Sequence, residues 1–233
     1  MRLENIPVNI HVDVMKLTCK FCQKFGGTTS GQEASDHVLF ESPNFIVVPT
    51  IGSIIPGWLL VVPRSHFLNV GSFDVALLQE FMRIREIAAE ALRDCFGPVT
   101  FFEHGPVRER ESVGCGVDHA HLHIVATEID LPAVVKRSGE TQLQWRPVSG
   151  IQATRPFVIE QMPYVFLQQS SGAAWIGSAS VIESQLVRKV IAEQAGQPER
   201  WDWKSHSFES NITRTVVELR AWKTAHTAMS APV

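Results

Sequence analysis

Val117-Asp118-His119-Ala120-His121-Leu122-His123-Ile124-Val125-Ala126 is the stretch on which the reading of this chain turns. In an extended strand, successive side chains point to opposite faces. His119, His121 and His123 then share one face, and Ala120, Leu122 and Ile124 take the other. Three of the nine histidines stand in strict alternation on one polar face, backed by an apolar one. Buried polar groups need partners, so such a row reads as a site. Just upstream, Gly114-Cys115-Gly116 can turn tightly and bring backbone N–H groups to an anion.

Outward from that strand, strand signals fall at residues 37–42, 45–49, 58–62 and 99–103, with turn residues between the first three. Leu77, Leu78, Phe81, Ile84, Ala88, Ala91 and Leu92 recur at three-to-four spacing, between a candidate N-cap at Ser72 and Gly97. That is a helix of roughly six turns. Strands, one long helix, then strands predict an α+β domain: an antiparallel sheet of about five strands with the helix on one face. Residues 1–18 read as an arm, and 23–36, rich in Gly, Ser and Thr, as loop. Prolines at 132, 147 and 156 mark a change of character after Leu131. Residues 164–168 and 173–177 resemble a hairpin, and 182–195 and 211 to about 222 are helix candidates. The expected division is a core domain over 1–130 and a mixed extension over 131–233 packed on it.

Composition sets the class. The 233 residues are 45% hydrophobic and 19% charged, enough to build a core. A net charge of −3 gives no case for a general nucleic-acid surface, so any affinity for phosphates must be local. No apolar run is long enough to span a bilayer, and Met1-Arg2-Leu3-Glu4-Asn5 lacks the apolar core of a signal peptide. The expected compartment is the cytoplasm. Four cysteines then point to thiols or metal ligands, not to a disulfide framework.

The alternation around His121 resembles the signature of the histidine triad (HIT) superfamily of nucleotide hydrolases and transferases. Gly57-Trp58-Leu59-Leu60-Val61-Val62-Pro63-Arg64-Ser65-His66 is similar to that family's upstream strand, with Trp58 where a histidine is common. The resemblance covers roughly residues 15–128. It implies that His121 is a nucleophile toward the α-phosphate of a nucleotide derivative, forming a nucleotidyl-histidine. The derivative would be a dinucleoside polyphosphate, a phosphoramidate or a nucleotide sugar. Hydrolysis is the first expectation; transfer to phosphate or a sugar phosphate uses the same intermediate, and a catalytically weak nucleotide-binding protein is a third reading. His123 would donate to the non-bridging oxygens, and Gly114, Cys115 and Gly116 would offer backbone N–H groups. Glu103 stands near a position where relatives carry an amide, and His104 is a possible donor to the leaving group or a turn residue. Arg108 and Arg110 reach for distal phosphates or belong to a solvated loop.

Cys19 and Cys22 form a C-x-x-C pair, which zinc sites and redox motifs both use. The resemblance adds His66 and His119, completing a Cys₂His₂ set for a structural zinc. A different reading gathers the three triad histidines around a catalytic zinc and leaves the cysteines unused. In the extension, Arg188-Lys189 and Trp201-Asp202-Trp203-Lys204 either reach the site or anchor the extension. The resemblance also implies a homodimer.

Overall fold

The computed structural model describes residues 19–25, 34–114, 116–138 and 143–229. The arm expected at 1–18 and the Cys115 of the glycine turn lie outside them. Among the described residues, eight strands form one sheet: β1 (Phe40–Glu41), β2 (Phe45–Pro49), β3 (Trp58–Pro63), β4 (Thr100–Gly105), β5 (Leu122–Val125), β6 (Gln144–Val148), β7 (Tyr164–Gln168) and β8 (Ala174–Ser178). Their order is β1-β2-β3-β5-β4-β7-β8-β6, and every pairing is antiparallel. The α+β expectation holds, but the sheet has eight strands where about five were expected. The extension adds the other three: β7 runs along β4 from Phe101↔Gln168 to Gly105↔Tyr164 and carries β8 and β6 outward.

One sheet face is covered by helices with α-helical periodicity. The helix α2, Val75–Phe96, buries Phe81, Ile84, Ala88 and Leu92 in a cluster with Val47, Leu59, Val61, Leu122 and Ile124. Its N-cap is Asp74 rather than Ser72: the carboxylate accepts from the Leu77 N–H at 2.8 Å, satisfying one orphan donor. Gly97, at φ 98°, ends it. The C-terminal helix α6, Glu209–Met229, adds Val216 and Leu219 to the same core, and its Trp222 Nε1 donates to Asp94 at 2.8 Å.

The opposite face carries the histidines and is covered in two parts. The helix α1, Lys20–Phe25, brings Phe21 and Phe25 onto Ile46, Val48, Leu60 and Val62. These aromatics lie four apart on one helix face, which explains why residues expected as loop are helical through Phe25. On the other side lie α3 (Leu131–Ser138) and α5 (Leu186–Gln194) of the extension, whereas its α4 (Arg155–Ile159) sends Phe157 into the core on the α2 side. Leu186, Val187 and Val190 of α5 pack with Trp58, Phe102, Val165 and Leu167. No helix of the described residues is long and apolar enough to cross a membrane.

Candidate active site

The central strand β5 starts at Leu122, later than the sequence pattern predicts, and lies between β3 and β4 with His123 opposite both Leu60 and Phe102. Upstream of it the backbone is irregular, and the Ala120 N–H goes to the Phe67 carbonyl at 2.6 Å. His121 and His123 still face the same cavity, and their partners define their tautomers. His121 Nδ1 lies 2.7 Å from the His119 carbonyl. A carbonyl can only accept, so Nδ1 carries the proton and Nε2 keeps a lone pair. His123 Nδ1 lies 3.0 Å from Trp58 Nε1, and an indole can only donate. His123 therefore carries its proton on Nε2. Trp58, standing where a histidine is common, thereby fixes His123 as a donor. Phe102 stacks on the His123 ring at 4.2 Å and holds its plane.

Burial favours the neutral form of both imidazoles. Burial pushes His121 down against the opposing hydrogen bond to the His119 carbonyl, and the Arg188 charge adds to the fall. Burial pushes His123 well below the usual histidine range, with His121, His104 and Arg188 acting in the same direction.

A cavity of about 160 Å³ opens before the two rings. Its apolar walls include Phe21 and Phe25 from α1 and Leu60 from β3. Lys20, Lys24, Arg188 and Trp203 also line it, and among the described residues no aspartate or glutamate does. Such a lining favours an anion. Only the sequence signals at Arg188 and Trp203 pointed to any of these four residues. The contribution of α1 was missed because Lys20 lies within, and Lys24 just after, a C-x-x-C pair that drew the reading toward metal alone.

Several expected site residues sit elsewhere. Alternation along β4 sends Phe102 and His104 to the histidine face, so Glu103 points through the sheet to the α2 side. There it is fully buried, accepting from the Val70 N–H at 2.7 Å and the Tyr164 hydroxyl at 2.8 Å, and it does not line the cavity. His104 is on the correct face but stands behind His123, ring centroids 6.5 Å apart, and does not line the cavity either. Burial, then the charges of His121 and Arg188, lower it to about 3. Gly114 spends its N–H on the Glu111 carbonyl and its own carbonyl on Ser184. Gly116 (φ 82°) and Arg110 line an adjoining cleft with Lys20 and His66. Arg108 is exposed and lines neither space. Cys115 lies outside the described residues.

Cys19, Cys22, His66 and His119 do come together: their ligand atoms all lie within 4.8 Å of one another. Cys19 Sγ is 3.4 Å and Cys22 Sγ 3.6 Å from His119 Nδ1, and Cys22 Sγ is 3.4 Å from His66 Nδ1. Ligand atoms around a tetrahedral zinc stand about 3.6 Å apart, so the set fits such an ion. The His119 Nε2 reaches the Pro63 carbonyl at 2.8 Å, which turns the Nδ1 lone pair to the thiols. His119 thus belongs to this cluster and not to a ring of three histidines.

The site thus joins two buried imidazoles on one cation-lined cavity, with His119 drawn into a Cys₂His₂ cluster. Residues 31–129 match the HIT domain family. The chain is 27% identical over 110 residues to Protein hit of Bacillus subtilis (strain 168), which spans 46% of this chain and 69% of that one. It is also similar to the structure of a HIT family member from Bacillus subtilis, 24% identical at a TM-score of 0.39 over 47% of this chain and 72% of that one. A Zn-bound histidine triad family protein from Mycobacterium smegmatis is 21% identical at a TM-score of 0.37, over 48% of this chain and 76% of that one. Strands β6, β7 and β8 and helix α5 all lie beyond the matched residues.

Proposed function

We propose that this protein hydrolyses a nucleotide derivative by attack of His121 on its α-phosphate. The observation that carries the reading is the 2.7 Å contact between His121 Nδ1 and the His119 carbonyl, which leaves Nε2 unprotonated. The Nε2 lone pair forms a P–N bond while the bond from phosphorus to the leaving oxygen breaks, and that oxygen keeps the electron pair. Water then attacks the same phosphorus, the P–N bond breaks, and the imidazole regains its pair. Water loses one proton in doing so, which balances the proton the leaving group takes up. A covalent intermediate divides one hard displacement into two easier ones. His123 Nε2–H donates to the non-bridging oxygens as charge builds on them. Cys19, Cys22, His66 and His119 would hold zinc in a structural role, since all four positions of a tetrahedral ion are met by protein and none is open.

The test incubates the protein with a panel of dinucleoside polyphosphates, nucleoside phosphoramidates and nucleotide sugars and identifies products by mass. Release of nucleoside monophosphate is expected; a product carrying the nucleotidyl group on phosphate or a sugar phosphate would mean transfer instead. His121→Asn should lower turnover by several orders of magnitude while the fold remains. Near-native turnover in that variant would remove His121 from the nucleophile role.

A further inference from the structure

We infer that Arg188, carried on α5 in the extension, is a phosphate-binding residue of the triad cavity, so that the extension is part of the site. The inference builds on the reading of His121 and His123 as the groups that meet the phosphoryl group. Arg188 lies well beyond the residues that match the HIT domain, yet it lines the same cavity as both histidines. Among the cavity's three cations it alone is buried, at 1% exposure; Lys20 is exposed, and the half-buried Lys24 already pairs with Asp36.

Its guanidinium is held in place by parts of the chain far apart in sequence. The Arg188 Nε donates to the Trp201 carbonyl at 3.2 Å and Nη2 donates to the Gly52 carbonyl. Gly52 has φ +73°, and a Cβ there would come within 2.7 Å of Arg188 Nη2, so the loop keeps a glycine where the arginine lies against it. Beneath it, the face of Trp58 lies 4.6 Å from the guanidinium carbon. The edge of the same indole donates to His123 Nδ1. One residue therefore touches both the cation and the imidazole expected to share the phosphoryl oxygens. A guanidinium fixed in a buried wall presents charged N–H groups with little reorganisation, which suits an oxygen that gains negative charge during displacement.

A purely structural arginine would brace Trp58 without sensing the ligand's charge. Calorimetric titration of the full chain with nucleoside monophosphates and with the matching nucleosides separates the two roles. The wild-type chain is expected to bind the monophosphates at least about tenfold more tightly, and Arg188→Gln to erase most of that difference. Nucleoside affinity in the variant should stay within about twofold, because the apolar walls are unchanged. Should Arg188→Gln fail to fold, the Arg188 Nε–H resonance of the ¹⁵N-labelled wild-type chain serves: adenosine monophosphate should shift it and adenosine should not. A phosphate preference that survives in Arg188→Gln, a wild-type chain without one, or an unmoved resonance would each overturn the assignment. The same titration on His121→Asn should retain the preference. Wild-type turnover in that variant would remove the nucleophile while leaving Arg188 in place, so the two ideas fail separately.

Discussion

Glu103 sits at 1% exposure between the sheet and α2, with the Val70 N–H and the Tyr164 hydroxyl donating to its carboxylate. Burial outweighs those two hydrogen bonds and raises it from 4.5 to about 7. Between those values the folded chain holds a proton that the unfolded chain has lost. Its contribution to stability is therefore whole below about pH 4.5, falls as pH rises, and is gone above about pH 7. Glu103→Gln imitates the protonated acid, since its carbonyl can accept from Val70 and its amide can donate to the tyrosine oxygen. Urea midpoints of this variant should be flat across the window and exceed wild type at pH 8 by roughly 3 kcal/mol. A variant weaker than wild type at pH 8 would mean the carboxylate is wanted ionised. The residue also marks a limit of the sequence reading. Alternation alone says that residues 103 and 104 cannot both face one cavity, but only the pairing of Phe102 with His123 says which of them does.

Two elements outside the matched domain wall the cavity, and each makes its own demand. Cys19, just before α1, and Cys22 within it turn to the cluster, while Lys20, Phe21, Lys24 and Phe25 turn to the cavity. Protein purified without chelators should carry one zinc per chain by metal analysis, and Cys19→Ser should lose both the metal and thermal stability. Unchanged melting in a metal-free chain would end that expectation. At the β4–β7 seam, Gly105 faces Tyr164 so closely that an added Cβ would run into the ring. Gly105→Ala should cost about 1–3 kcal/mol in chemical unfolding, because neither strand can yield without breaking pairs on its far side. The long helix and the histidine strand were legible because their periodicity is local. In contrast, β6 was not: Gln144-Trp145-Arg146-Pro147-Val148 is largely exposed, carries a charge at its centre and contains a proline. It forms the sheet's outer edge, the one place where a strand tolerates both. The meeting of Arg188 with Gly52 and Trp58 had no local signature at all.

Seen whole, the chain closes with its own residues a strand edge that the residues matching the HIT domain would by themselves leave open. Strand β5 occupies one side of β4, and β7 is hydrogen-bonded along the other. A second chain cannot add there while the extension is in place, so the homodimer implied by the resemblance cannot form along β4. Three indoles of the extension are spent on the same chain: Trp222 on the α2 core, Trp201 on the α5 cluster under Lys189, Trp203 at the cavity. Ending the chain near Leu131 would uncover the β4 edge together with Phe102 and Trp58, which now pack against α5 and β7. Light scattering should find the full-length chain at the mass of one copy, and the truncated chain associating through the bared strand and apolar face. A full-length dimer lost on truncation would instead put residues of the extension across a subunit boundary. A soluble, monomeric truncated chain would show that the HIT domain needs no cover. The expected loss of the Arg188 wall makes a second reading of the same samples informative, because any truncated chain that stays folded should bind nucleosides without the added affinity for their phosphates.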